Sequence, residues 1–365
     1  MSQAPKFDAH MATGEANDHE TLAGVIATFV EADTTVPELP NNRDAWRSDF
    51  ELRLLEKEIG INKKQWDYFA DIMARACAKV SESSGKVLLL IAQLNGARRL
   101  PSPDWDGVKS LVEQAQEAIR TLPSGERTRR LDGLLEYHLG IIARYIGDYK
   151  TAILQQIAAK DKAEAAGDYV GAAIAHLCEH VEKFNAAVSE GRVDTSLLLG
   201  QLNGAAMQVC ATCIGEEQTQ ARWRLFNAPM HVLEGCVWEA HRLSPATEKF
   251  WLHLLTGELP AKDKALYEVS VPWITAIQAG LAALKGDRKT ALRLANDALT
   301  TRSGQRRPES FATAHLVLAW LAADEHLQAI VDEGEHMHQL RAKARRILDG
   351  KTRSWCERHD LAVVA

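Results

Sequence analysis

Leu139-Gly140-Ile141-Ile142-Ala143-Arg144-Tyr145-Ile146-Gly147-Asp148-Tyr149-Lys150-Thr151-Ala152-Ile153 is the stretch on which the reading of this chain turns. Upstream of it, Leu131, Leu134, Leu135, Leu139 and Ile142 recur at helical spacing and fall on one face. Gly147 can take the left-handed conformation that closes a helix, and Asp148 can accept hydrogen bonds from the free amides that open the next one. Ala152, Ile153, Ile157 and Ala159 continue as a second helical pattern. The unit is therefore a helical hairpin. Gly167-Asp168-Tyr169 repeats the turn tripeptide twenty residues later, ahead of another alanine-rich helix.

Farther along, Ala279, Gly286-Asp287, Ala291, Ala295 and Ala298 stand at the same relative spacings, with Arg288 in place of the turn aromatic. These two segments, roughly Arg130 to Ala165 and Pro272 to Thr301, resemble the tetratricopeptide-repeat family. In that motif a small residue on the first helix faces a small residue on the second, so that the backbones approach closely. Gly140 and Ala152 fill those places, with Tyr149 as the aromatic wedge. The resemblance implies an α-solenoid, in which stacked hairpins bury apolar faces that none could bury alone and leave a concave surface for a peptide or partner helix. It implies partner-binding positions at Leu134, Tyr137, His138, Ile141, Arg144 and Tyr145 on the first helix. In the later repeat the matching positions are Trp273, Ala276, Ile277, Gly280, Ala283 and Leu284. Both sets are mainly apolar and aromatic, which suits an apolar partner helix or a helix of the protein itself; packing against the next repeat is the simpler reading. Chaperone-binding members of the family hold a C-terminal carboxylate with a lysine and asparagine clamp; Tyr137 and Ile141 stand in the matching places here, so that clamp is not supported.

The rest of the chain extends the helical pattern. Stretches rich in Ala, Leu, Glu, Lys and Gln run between a few prolines that read as breaks, among them Pro101, Pro103, Pro123, Pro229, Pro245, Pro260, Pro272 and Pro308. Alternating β-branched runs joined by Asn-Gly turns are missing. The expected fold is all-α: TPR-like helical hairpins stacked as an α-solenoid over 123–348, with an N-terminal helical region over 20–122. A disordered N-terminus (1–19) and a tail (349–365) flank it. Within the N-terminal region helices are expected over Glu20–Glu31, Arg43–Ile59, Lys63–Val80, Gly85–Arg98 and Trp105–Thr121, the last capped by Asp104. Gln93-Leu94-Asn95-Gly96-Ala97 recurs as Gln201-Leu202-Asn203-Gly204-Ala205, each after a leucine triplet. The echo reads as a duplicated helical unit with glycine at a close helix crossing, or as coincidence in a Leu- and Ala-rich chain; either way both segments are expected in the core.

Composition narrows the function classes. The 365 residues are 46% apolar and 25% charged, with 43 basic and 49 acidic side chains and a formal charge of −6. That balance argues against a nucleic-acid binder. Met1 to Glu20 is polar and has no signal-peptide pattern, and the longest apolar run, Val87–Ala92, is far too short to span a bilayer. The expectation is a cytoplasmic protein without a membrane segment, its six cysteines free thiols. Basic clusters occur at Arg127-Thr128-Arg129-Arg130 and Arg306-Arg307, and in the tail from Arg341 to Arg353. They read as solvated faces or complements to helix C-termini, with a phosphate or acidic-partner site as the alternative.

Chemical motifs are few. His176-Leu177-Cys178-Glu179-His180 matches H-x-x-E-H, which puts two histidines on one helix face where they could share zinc, with Glu179 as base. No strand signal accompanies it, and surface histidines on an Ala-rich helix are the simpler reading. Cys210-Ala211-Thr212-Cys213 is a lone C-x-x-C; with His231 and Cys236 a zinc site can be drawn, yet its apolar flanks read as buried helix. His326, His336 and His338 lie among acids near the C-terminus and read as surface residues. There is no Walker phosphate loop, no G-x-G-x-x-G and no G-x-S-x-G. No catalytic constellation and no cofactor is expected. The leading function is a scaffold, adaptor or regulatory subunit that binds a partner protein. A helical regulator that senses a peptide or ligand, and a zinc-dependent hydrolase, are the alternatives.

Overall fold

The computed structural model describes residues 74–80, 83–97, 104–190, 195–214, 219–256, 264–300 and 308–321. The expected N-terminus (1–19), the helices over 20–31 and 43–59, most of the one over 63–80, Arg306-Arg307, the end of the expected solenoid with His326, His336 and His338, and the tail (349–365) lie outside the described residues. The elements are α1 (Ser83–Ala97), α2 (Trp105–Arg120), α3 (Glu126–Tyr145), α4 (Tyr149–Ala165), α5 (Tyr169–Ser189), α6 (Ser196–Cys213), α7 (Thr219–Trp238), α8 (Pro245–Thr256), α9 (Lys264–Leu284), α10 (Arg288–Thr300) and α11 (Pro308–Leu321). No strand occurs among the described residues. No helix among them is long and apolar enough to cross a membrane.

The Gly-Asp turns do what their chemistry demands. Gly147, Gly167 and Gly286 have φ of 83°, 67° and 82°. At each, the aspartate amide reaches back to the last turn: Asp148 N to Ala143 O (2.9 Å), Asp168 N to Ala163 O (2.8 Å) and Asp287 N to Ala282 O (3.0 Å). Each aspartate carboxylate then accepts from an amide of the next helix, from Thr151 (3.0 Å), Gly171 (2.9 Å) and Thr290 (3.1 Å). One device thus ends a helix and starts another at three places. A fourth turn, after α7, has the same closing bond, His241 N to Cys236 O (2.8 Å), but an alanine, Ala240, holds the left-handed position at φ 49°. A Cβ in that region is strained. Ala240→Gly is therefore expected to stabilise the protein by about 0.5–1 kcal/mol, read as a higher urea midpoint at unchanged slope.

Helices pack on their sequence neighbours: α3 on α4, α4 on α5, α5 on α6, α6 on α7, and α9 on α10. Next-but-one contacts also join α1 to α3, α3 to α5, α5 to α7, α7 to α9 and α9 to α11. The odd-numbered helices therefore form one continuous row and the even-numbered helices flank it, the arrangement of an all-α solenoid. From α3 onward the odd helices begin at Glu126, Tyr169, Thr219, Lys264 and Pro308, a period of 43–50 residues. The tetratricopeptide unit is about 34 residues. The difference lies in helix length, since α3, α5, α7 and α9 run 20 or 21 residues.

Two corrections to the sequence reading follow. Pro229 and Pro272 do not break helices but lie inside α7 and α9. Each removes one helical hydrogen bond, a cost offset by dense burial around it: Met230, Val232 and Leu233 are fully buried, as are Ala276 and Ile277. Second, the glycine of the Gln-Leu-Asn-Gly-Ala echo is not at a helix crossing. A Cβ built on Gly204 meets nothing within 4 Å, whereas Leu202 and Ala205 of the same segment are buried as expected. The described part of the N-terminal region, α1 and α2, shares a core with the array. Val87, Ile91, Leu94, Val108 and Ile119 share one core with Leu131 and Leu135 of α3. The larger core runs from Ala173 to Leu321 and takes in Trp238, Trp251, Trp273 and Trp320.

Candidate functional site

The odd row carries buried polar side chains, among them His138, Glu182, Glu234 and Thr313. Arg144 of α3 pairs with Glu182 of α5 at 3.2 Å, and the Glu182 side chain is fully buried. Burial pushes the Glu182 carboxyl up to about 7, while Arg144 pulls it the other way. Cys178, one turn before Glu182, has its thiol pushed up by burial, with Arg224 and Arg144 opposing. Arg224 of α7 reaches back to α3: its Nη2 donates to Tyr137 Oη at 2.5 Å, and its guanidinium lies 5.6 Å from the centre of the Tyr137 ring. Residues 87 positions apart are so brought together. Farther along the row, Glu234 Oε1 of α7 accepts from Trp273 Nε1 of α9 (3.1 Å) and from Thr313 Oγ1 of α11 (3.0 Å). Trp238 Nε1 donates to the same threonine at 3.2 Å. Buried hydrogen bonds to a carboxylate are among the stronger ones, so these bridges fix which odd helices meet and in what register.

The candidate partner-binding residues of α3 divide. His138 and Ile141 are 1% and 3% exposed and belong to the interior. Tyr137 and Arg144 are half-buried and engaged with Arg224 and Glu182. Leu134 and Tyr145 are half-buried and packed against the two cores. The side chain nearest Gly140 is that of Gln156: a Cβ at Gly140 would lie 2.4 Å from Gln156 Nε2, which donates to Tyr137 O at 3.1 Å. The set implied for the later hairpin is core rather than groove. Trp273, Ala276, Ile277, Ala283 and Leu284 are all buried, and Gly280 lies so close to Val237 of α7 that a Cβ would sit 2.4 Å from it. Of the basic cluster at the start of α3, Arg130 donates to the C-terminal carbonyl Ala166 O at 3.3 Å, complementing a helix end as expected.

His176, Glu179 and His180 of the H-x-x-E-H segment come together, each offering one ligand atom within 4.8 Å of the others. His176 Nδ1 lies 3.3 Å from Glu179 Oε2, and Lys183 Nζ bonds Glu179 Oε1 at 2.5 Å. Burial, helped by His176, pushes the His180 ring down to about 4, so it is neutral at neutral pH. Cys210 and Cys213 are buried, and burial pushes the Cys210 thiol up to about 12. That is the inert, apolar environment expected from their flanks, not one that favours thiolate. No disulfide joins the cysteines among the described residues.

A surface feature that sequence patterning did not pick out lies on α6. Its eighteen residues, SLLLGQLNGAAMQVCATC, contain no charge. Leu199, Leu202, Ala206, Val209 and Cys213 face the core. The opposite face exposes Leu197 (74%) and Met207 (44%), and Ile214 just beyond the helix is 63% exposed. Gly200 and Gly204 lie on that face, and a Cβ on either would meet nothing within 4 Å. The available signal was the missing charge over the helix, masked by reading it as wholly buried. No protein-family model, no curated protein and no solved structure matches this chain.

Proposed function

We propose that this chain is an interaction protein, a scaffold or adaptor of tetratricopeptide-like design, and that a helix of a partner protein docks on the outward face of α6. One observation carries the reading: two mid-helix glycines face open space on a charge-free face. Glycine inside a helix costs about 1 kcal/mol relative to alanine. Nothing within the described residues uses the missing side chains of Gly200 and Gly204. An approaching backbone from outside the chain would use them, because helices cross closely where side chains are small. Leu197 and Met207, one turn to either side, supply apolar contacts for such a helix. The half-buried Tyr137 and Arg144 serve contacts within the chain and are secondary candidates.

The test separates folding from binding. Gly200→Ala/Gly204→Ala is expected to raise stability, by up to about 1 kcal/mol per glycine, and to weaken partner binding at least about tenfold. Met207→Glu is expected to abolish binding with an unchanged circular dichroism spectrum. The readout is affinity capture of a stoichiometric partner, followed by titration of the purified pair. A partner that binds both variants as it binds wild type would refute docking on α6.

A further inference from the structure

We propose that His176, Glu179 and His180 of α5 form a binding site for a zinc ion. Two histidines four residues apart on a helix present their rings side by side and chelate a metal without any change of backbone. In tetrahedral zinc with bonds of about 2.0–2.2 Å, adjacent ligand atoms lie about 3.3–3.5 Å apart. His176 Nδ1 and Glu179 Oε2 stand at 3.3 Å already. His180 supplies the third donor. It is 9% exposed, its Nδ1 is buried with no hydrogen-bond partner, and its ring meets that of His176 edge-on at 4.7 Å between centroids. A buried imidazole nitrogen without a hydrogen-bond partner, beside a second imidazole and a carboxylate, has the surroundings of a metal ligand rather than of a satisfied core histidine.

The donor chemistry selects the ion. Two imidazoles and one carboxylate suit zinc and its borderline neighbours over calcium or magnesium, which take oxygen cages. Lys183 holds Oε1 of Glu179 at 2.5 Å and leaves Oε2 toward the histidines, so it orients the carboxylate as an outer-shell partner. The positive charges of Lys183 and of Lys160 on α4, both acting on His180, weaken the site without removing a ligand. The His176 side chain is 25% exposed, which leaves a path for the ion and a fourth coordination position on that side. With Glu179 as ligand and anchored by Lys183, no base remains in the cluster to activate a water. The inference is therefore a bound ion, independent of the α6 surface, and not hydrolysis.

The experiment uses the full chain, stripped with chelator and titrated with zinc chloride against a chromophoric competitor. One equivalent should bind with a dissociation constant of about 1 µM or lower, and zinc should raise the melting temperature. His176→Ala and His180→Ala should each weaken binding at least about tenfold. Cys210→Ser/Cys213→Ser should leave it unchanged. His176 is the more exposed ligand, so its variant keeps the test decisive even if His180→Ala fails to fold. Absence of a stoichiometric site, or a site that survives His176→Ala or disappears with the cysteines, would overturn the assignment.

Discussion

Arg144→Met is expected to destabilise the protein by about 3–5 kcal/mol at pH 8, and by distinctly less at pH 5. The reason is the carboxyl it leaves behind. Glu182 is fully buried, and among the described residues the cation paired with it, at 3.2 Å, is Arg144. Removing one partner of a buried pair strands the other charge, whereas removing both need not. The pH dependence follows from the direction of the shift. Burial raises the Glu182 carboxyl to about 7 in the folded state, against an ordinary value of about 4.3 in the unfolded chain. A carboxyl raised on folding contributes its stability below the unfolded value and loses it as pH climbs through the folded one. Arg144 opposes that loss in the wild type, so its removal steepens the fall between about pH 5 and 8. Urea unfolding at the two pH values measures this. Arg144→Met/Glu182→Leu should recover most of the loss and remove the extra pH dependence. A single-variant effect that is equal at both pH values would contradict a stranded carboxylate.

The second large effect is expected at Glu234. Glu234→Leu removes the acceptor shared by Trp273 Nε1 and Thr313 Oγ1 and leaves buried donors on two other helices without it. Each orphaned donor costs about 1–3 kcal/mol, so the total is expected at about 3–5 kcal/mol. Glu234→Gln keeps an oxygen at the same place and should cost under about 1.5 kcal/mol. The contrast separates loss of a hydrogen-bond hub from mere loss of side-chain volume. Equal losses in the two variants would mean that charge, not acceptor geometry, ties α7 to α9 and α11.

The parts of this fold that are local were legible in the sequence. Gly147-Asp148 and Gly286-Asp287 announce helix junctions because positive φ and a capping carboxylate are demands of single residues, and helical periodicity carried the all-α class. The bounds Gly85–Arg98 and Trp105–Thr121 fell within two residues of α1 and α2. Non-local facts were hidden. Nothing in the neighbourhood of Arg224 says that it bonds Tyr137, and nothing local shows that Pro229 and Pro272 are held inside helices by the core around them. Burial was also misjudged where a helix is apolar on both faces. Trp273, Ile277 and Leu284 read as groove and are core, while Gly204 and Met207 read as core and face outward. The H-x-x-E-H segment was legible as a pattern. That its three side chains converge, and that the His180 nitrogen has no other partner, needed the third dimension.

What distinguishes this solenoid is that its odd-numbered helices close on one another through buried polar side chains, and the Tyr137–Arg224 contact spans the widest stretch of sequence among the described bridges that meet α3. A double-mutant cycle on Tyr137→Phe and Arg224→Met, followed by urea unfolding, measures that contact without requiring any partner. Closure of α3 onto α7 predicts a coupling energy of about 1–3 kcal/mol. Strict additivity, within about 0.3–0.5 kcal/mol, would mean that the two helices do not meet in this way.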